Sequence, residues 1–195
     1  MAIINKFDFH ETEIIGLVKI TPFCFEDTRG KLTKNFSQVV FETNGCRCDL
    51  SEELIVVKSH SGVIRGLHVQ RVKQADKLVC CVSGHIWIAV VDLRKNSPSF
   101  KKWLGFHLKA KEDMELFIPC GCAMGYLAVE ESSTICTYSE KFYSEYDCGI
   151  RWDDPELGIQ WPLELAGGRE KIILSEKDQN LPSFHEFMEY YGGLS

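Results

Sequence analysis

Along most of the chain, apolar and polar positions alternate with a period near two, in short runs closed by Gly, Pro, Asn or Asp. That pattern predicts β-strands. Residues 13–21 (EIIGLVKIT) read as a first strand, followed by Pro22 and a turn at Asp27-Thr28-Arg29-Gly30. Residues 54–58 and 62–69 (GVIRGLHV) give two more. Residues 78–82 and 85–92, rich in Val, Ile and Trp, flank Ser83-Gly84 and read as a hairpin about a glycine turn. Strands over 103–108, 115–118, 124–129 and 133–138 continue the series at nearly regular spacing, and a helical period is confined to 183–190 and, briefly, 37–42. The prediction is an all-β fold, a jelly-roll barrel or sandwich with a few short helices mainly near the C-terminus, whose mouth can hold a ligand. No repeat, low-complexity tract or linker interrupts the sequence, so residues 1–195 are read as a single domain.

Composition narrows the function classes. With 22 Lys plus Arg against 28 Asp plus Glu, the net charge is −6. A nucleic-acid scaffold needs the opposite surplus, although a local basic pocket for a phosphorylated small molecule stays open. No apolar run approaches the roughly 20 residues of a membrane span, and residues 1–8 carry Lys6 and Asp8 rather than a secretory core. The expectation is a soluble cytoplasmic protein with no membrane and no nucleic acid among its partners. The nine cysteines are odd in number, and Cys46/Cys48 and Cys120/Cys122 are spaced more tightly than zinc-knuckle pairs. They are expected to be reduced thiols, those within apolar stretches acting as small hydrophobes.

The richest cluster for chemistry is Arg65-Gly66-Leu67-His68-Val69-Gln70. Strand alternation puts Arg65 and Leu67 on one face and Gly66 and His68 on the other. A histidine facing a barrel interior can take a proton near neutral pH, or it can simply be a hydrogen-bonded core residue. Two residues after His68 stands Gln70, so the His-x-His pair of metal-binding jelly rolls is incomplete and neither metal nor cofactor is expected. Lys77 can be a buried cation beside an anionic intermediate or a solvated strand end. Arg29 and Arg65 are candidate phosphate clamps, since a guanidinium fork matches phosphate oxygens. Asp178 can orient an imidazole or merely open a turn. Together they suit proton abstraction beside a carbonyl on a phosphorylated ligand.

The order of motifs is more specific. GVIRGLHVQ, Lys77-Leu78-Val79, Gly84-His85-Ile86, Val90-Val91-Asp92-Leu93-Arg94 and Ser97-Pro98-Ser99-Phe100 follow one another. Then come Ile118-Pro119-x-Gly121, Gly149-Ile150-Arg151-Trp152-x-Asp154-Pro155, Ile159-x-Trp161-Pro162 and Leu174-Ser175-x-Lys177-Asp178, with Asp27-x-Arg29-Gly30 near the start. Over residues 13–182 the chain resembles the dTDP-4-dehydrorhamnose 3,5-epimerase family. The resemblance implies a metal-free, cupin-like jelly roll, usually a homodimer that exchanges early strands. It also implies as substrate a nucleoside-diphosphate-linked 4-keto-6-deoxy sugar of deoxysugar and polysaccharide biosynthesis. Its C4 ketone acidifies the hydrogens on C3 and C5, and an enolate links removal of one of them to reprotonation from the opposite face. Carried over by position, His68 is the base, Asp178 its orienting partner and Lys77 the enolate stabiliser, while Arg65 and Arg29 grip the diphosphate, Arg29 from either subunit.

Four features depart from the family pattern. Gly121-Cys122-Ala123-Met124-Gly125 carries Met124 where the family has a sugar-binding His, and Lys34 stands where a Glu is common. Ser59-His60-Ser61-Gly62 is shorter than usual, which leaves the base of the nucleotide open. Counting from Met124 places Thr137 at the family's acid tyrosine and Tyr138 one residue later. A one-residue displacement turns a side chain to the other face unless a bulge or an extra loop residue restores it. Three readings follow: an epimerase acting at C3, C5 or both; a nucleotide-sugar 3,4-ketoisomerase; or a sugar-nucleotide-binding protein without catalysis.

Overall fold

The computed structural model describes residues 3–46 and 49–194, so Cys48 lies outside the described residues. In chain order the elements are β1 (Ile3–Asn5), β2 (Asp8–Glu11), β3 (Val18–Thr21), β4 (Phe23–Asp27), β5 (Gly30–Lys34), α1 (Gln38–Thr43), β6 (Glu53–Ser59), β7 (Ile64–Gln70) and β8 (Lys77–Ser83). They continue with β9 (His85–Asp92), β10 (Trp103–Lys109), β11 (Glu115–Ile118), β12 (Cys122–Ala128), β13 (Ser132–Tyr138), β14 (Asp147–Gly149), α2 (Glu176–Gln179) and α3 (Phe184–Tyr191). A six-stranded sheet, β2-β3-β11-β8-β13-β6, packs on a five-stranded one, β10-β9-β12-β7-β14, in a jelly roll; β1-β4-β5 form a small third sheet. All the strand pairs are antiparallel.

Inward-facing residues of both large sheets meet in one apolar layer: Val79, Leu116 and Cys136 from one, Ile86, Ile88, Val90 and Leu108 from the other. The outer face of the five-stranded sheet is covered by the chain after β14, whose Ile150, Trp152, Trp161, Phe184 and Phe187 pack on Leu67, Trp87, Ala89 and Val91. α3 starts where its helical period predicts, with Ser183 and Glu186 closing a reciprocal capping box. α1 buries Phe41 against Val18, Ile20 and Phe117 on the outer face of the six-stranded sheet.

Two expectations about local structure change. Residues 13–21 form a strand only from Val18; before it, Ile14 and Leu17 are fully buried from a turn in which the Leu17 amide donates to the Ile14 carbonyl. Their apolar character reflects a loop plugging the interior layer, which a two-residue period cannot distinguish from a strand. Ser83-Gly84 joins no hairpin: β8 pairs with β11 and β13, and β9 with β10 and β12. The chain turns there from one sheet to the other. Gly84 has φ +75°, and a Cβ on it would sit 2.1 Å from the Glu131 carbonyl oxygen, so only glycine fits the corner. The buried thiols of Cys80, Cys81, Cys122, Cys136 and Cys148 pack as small hydrophobes, as expected.

Glu115 is buried on the outer face of the six-stranded sheet, where Asn35 donates to one carboxyl oxygen and the other has no partner. Burial pushes its pKa up to about 8. A folded-state value above the unfolded one means that its contribution is intact below the unfolded pKa and is lost as pH rises toward 8. Glu115→Gln is therefore expected to match the parent protein near pH 4.5 and to be more stable above pH 6. The gap should widen by roughly 1 kcal/mol per pH unit until about pH 8. Urea unfolding at several pH values checks this, and parallel curves for the two proteins would refute it.

Candidate active site

β7 carries the central residues, and a bulge decides which way they point. Met124 of β12 stands opposite His68, but Tyr126 stands opposite Arg65, so β7 spends one more residue than β12 over this stretch. Met124 and Tyr126 belong to the interior layer, whereas Ile64, Leu67 and Val69 join the outer cluster. His68 and Arg65 consequently lie on one face, with Leu67 on the other. The simple alternation that separated Arg65 from His68 is corrected here, because the extra residue resets the phase.

The His68 Nε2 lies 2.7 Å from Asp178 Oδ1. Asp178 belongs to α2, whose N-cap Ser175 accepts from the Asp178 amide at 3.1 Å and donates its hydroxyl to Asp178 Oδ2 at 2.6 Å. The Gly66 amide donates to Asp178 Oδ1 at 3.1 Å. The preceding segment is tied to β7 by Ile64 N–H donating to the Ile173 carbonyl at 3.0 Å. This carboxylate is thus held on three sides. Burial alone would raise its pKa, but hydrogen bonds from His68, Ser175 and the Gly66 amide hold it below the usual carboxylate range.

A second carboxylate flanks the ring from the opposite side. Asp147 Oδ1 is 3.5 Å from His68 Nδ1, and Lys177 pairs with Asp147 Oδ2. It is placed by β14, where Gly149 pairs with His68 and Asp147 with Gln70. A Cβ on Gly149 would sit 2.0 Å from the Leu67 carbonyl oxygen, so the close approach that aims Asp147 at the ring requires glycine there. Burial works against charge on His68, yet Asp147 and Asp178 outweigh it and hold the imidazole pKa above its ordinary value. The sequence reading missed Asp147; its signal was an acidic residue just ahead of the Gly149-Ile150-Arg151-Trp152 motif.

His68, Asp147, Lys77, Tyr138, Gln70, Val69, Ala75 and Phe142 line one cavity of about 440 Å³, open to solvent. Lys77 is almost wholly buried, and burial lowers its pKa against the opposing pull of Cys136, Asp147 and Cys122. Tyr138 faces inward with Thr134 and Cys136, whereas Thr137 points the other way. A bulge in β8 sets its partner: Ser133 pairs with Ser83 but Thr134 with Cys81, so Tyr138 comes opposite Lys77 instead of Leu78. Burial raises the phenol pKa, with further push from Cys136, Glu53 and Asp147. Gln70 donates to the Lys73 and Lys141 carbonyls at 2.8 and 2.9 Å, tying together two loops at the cavity rim.

The other candidates lie outside this cavity. Arg65 is exposed, its Nε donating to Ser59 Oγ at 3.1 Å, and Ser59 in turn meets the Tyr126 hydroxyl at 2.9 Å. Arg29, at the tip of the β4–β5 hairpin, pairs with Asp27 at 2.6 Å and is 83% exposed. Lys34 sits 5.4 Å over the Phe23 ring. Met124 is partly buried opposite His68 and offers the site no hydrogen bond in place of an imidazole. Within one chain, then, His68, Asp178, Lys77 and Tyr138 come together, and Arg29 and Lys34 do not join them.

Comparison with known proteins gives the family. Residues 11–186 match the family model of dTDP-4-dehydrorhamnose 3,5-epimerase. The enzyme of that name from Methanothermobacter thermautotrophicus is 39% identical over 184 residues, 93% of this chain and 96% of its own. The crystal structure of the Legionella pneumophila dTDP-6-deoxy-D-glucose-3,5-epimerase with dTDP-4-keto-L-rhamnose superposes with a TM-score of 0.86 at 27% identity, covering 92% of this chain and 94% of that one. A 3'-monoepimerase from Streptomyces bikiniensis, complexed with dTDP-quinovose, gives 0.84 at 25% identity over 94% and 90% of the two chains. With fold, motif order and match all extending over nearly its whole length, the chain belongs to the dTDP-4-dehydrorhamnose 3,5-epimerase family.

Proposed function

We propose that the protein epimerises a nucleoside-diphosphate-linked 4-keto-6-deoxyhexose, with dTDP as carrier, at C3, C5 or both. The observation that carries this reading is the carboxylate-braced His68 in a cavity shared with Lys77 and Tyr138. With the Nε2 proton donated to Asp178, the His68 imidazole takes the hydrogen from the carbon beside the ketone. The electron pair of that C–H bond moves into the ring and onto the C4 oxygen, and the Lys77 ammonium stabilises the enolate. Collapse of the enolate draws the Tyr138 hydroxyl proton onto the opposite face of the carbon, which inverts it and restores the ketone. Solvent then returns a proton to Tyr138 and removes one from His68. Arg65, on the same face of β7 as His68, holds the diphosphate outside the sugar cavity.

The relatives with epimerase names favour this over the ketoisomerase and the non-catalytic binder. Incubation with dTDP-4-keto-6-deoxyglucose and NMR of the product separates the three. An epimerase keeps the carbonyl at C4 and inverts C3 or C5, a ketoisomerase moves it to C3, and a binder leaves the sugar unchanged. Either of the last two results overturns the proposal.

The working form we propose is a homodimer. Leu54 and Val56 of β6, with Val82 of β8, are 61%, 56% and 49% exposed on the six-stranded sheet, an apolar face fit for a second copy. Among the described residues the β1-β4-β5 sheet shares no strand pairing with the other two, which suits an arm that carries Arg29 and Lys34 to the partner's cavity. Sedimentation should give a dimer for the parent protein and a monomer with reduced activity for Val56→Asp; a monomeric parent would refute the assembly. No helix among the described residues is long and apolar enough to cross a membrane.

A further inference from the structure

Arg29 pairs with Asp27, Arg94 with Asp92, and Arg151 and Arg169 both with Asp153. Arg65 is anchored differently: among the described residues no carboxylate pairs with it. Its Nε–H donates to a neutral hydroxyl, Ser59 Oγ at 3.1 Å, and one terminal nitrogen lies 3.5 Å from the Lys58 carbonyl oxygen. Ser59 is the buried last residue of β6, so the Arg65 side chain crosses from one large sheet to the other. Behind it, the Tyr126 hydroxyl meets Ser59 Oγ at 2.9 Å. Tyr126 stands opposite Arg65 on β12, is 5% exposed and packs its ring in the interior layer. We propose that Tyr126 and Ser59 are positioning residues for the diphosphate clamp: the buried phenol fixes the Ser59 hydroxyl, which holds the Arg65 guanidinium in place with its charge unneutralised.

A neutral anchor suits an arginine that has to meet an anion. A carboxylate would also fix the guanidinium, but it would cancel the charge and compete with phosphate for the same N–H groups. A hydroxyl on Nε–H leaves the terminal nitrogens to form the fork that matches two phosphate oxygens. An arginine loose on the surface loses its rotamer freedom when the ligand arrives, whereas one already held loses little, and the difference appears as affinity. Ser59 alone does not achieve this, because a hydroxyl rotates to suit its surroundings and needs a rigid second partner to fix its direction. The Tyr126 ring, packed in the layer with Ile88 and Ala128, supplies that partner.

This inference rests on the epimerase reading, and the test separates the two. Calorimetry with dTDP measures the clamp apart from the chemistry. Tyr126→Phe, which keeps the ring and loses only the hydroxyl, should weaken dTDP binding about fivefold, and Ser59→Ala at least as much. In turnover of dTDP-4-keto-6-deoxyglucose the same loss should appear in KM, with kcat within about twofold of the parent's. On an Arg65→Ala background Tyr126→Phe should have no further effect, because the hydroxyl acts only through the guanidinium. Unchanged dTDP affinity in Tyr126→Phe overturns the positioning role. So does a loss carried by kcat, or an equal loss with and without Arg65, which marks a general packing defect; each of these leaves the epimerase reading standing. A parent protein that does not bind dTDP overturns both.

Discussion

His68→Asn is expected to reduce epimerisation by at least roughly 10³-fold, the range in which removal of a positioned general base falls. Asparagine can still meet Asp178, and the ring it replaces makes no part of the apolar layer, so thermal unfolding should stay close to that of the parent protein. Exchange and inversion must fall together, because no proton is removed in the first place. Steady-state kinetics with substrate binding measured in parallel checks this: kcat collapses while affinity changes little. Retention of even a tenth of the parent rate would require another base.

Asp178→Asn carries the second largest effect. Asp178 Oδ1 meets both the Gly66 N–H and His68 Nε2, so an amide oxygen in its place keeps both contacts and the NH2 group turns to Ser175 Oγ, but the carboxylate charge beside the imidazole is lost. The imidazole keeps its tautomer but loses the negative charge that supports it as a base, and kcat is expected to fall by about 10²-fold. The pH profile gives an independent check. His68 must be neutral to act, and in the parent protein two carboxylates hold its pKa above the ordinary value. Activity is therefore lost as pH falls through that raised value. Removing the Asp178 charge lowers the imidazole pKa, so the residual activity of the variant should persist to lower pH than the parent's. An acid limb that stays in place would show that Asp178 does not act on His68.

Most of the β architecture was legible because half-buried strands alternate, as β6 and β13 do in the fold, and because short apolar runs such as β7 and β12 end at turn residues. β5 was not, since its residues are mostly exposed and offer no alternation to read. His68, Lys77 and Asp178 could be found from their motifs. Their geometry could not, because single-residue bulges in β7 and β8 decide that Arg65 shares a face with His68 and that Tyr138 stands opposite Lys77. A bulge changes no residue type, so it leaves no trace in composition or period. Asp147 escaped for a related reason: its role depends on β14 closing against β7 at Gly149, a contact between residues far apart in the chain.

The imidazole as carbon base is tested most directly by solvent deuterium in the substrate ring. In D2O near neutral pH, NMR of dTDP-4-keto-6-deoxyglucose with the parent protein should show deuterium entering at C3, C5 or both, with none entering in the presence of His68→Asn. Deuterium entering equally fast with the variant, or none entering with the parent protein while the substrate binds, would contradict the account.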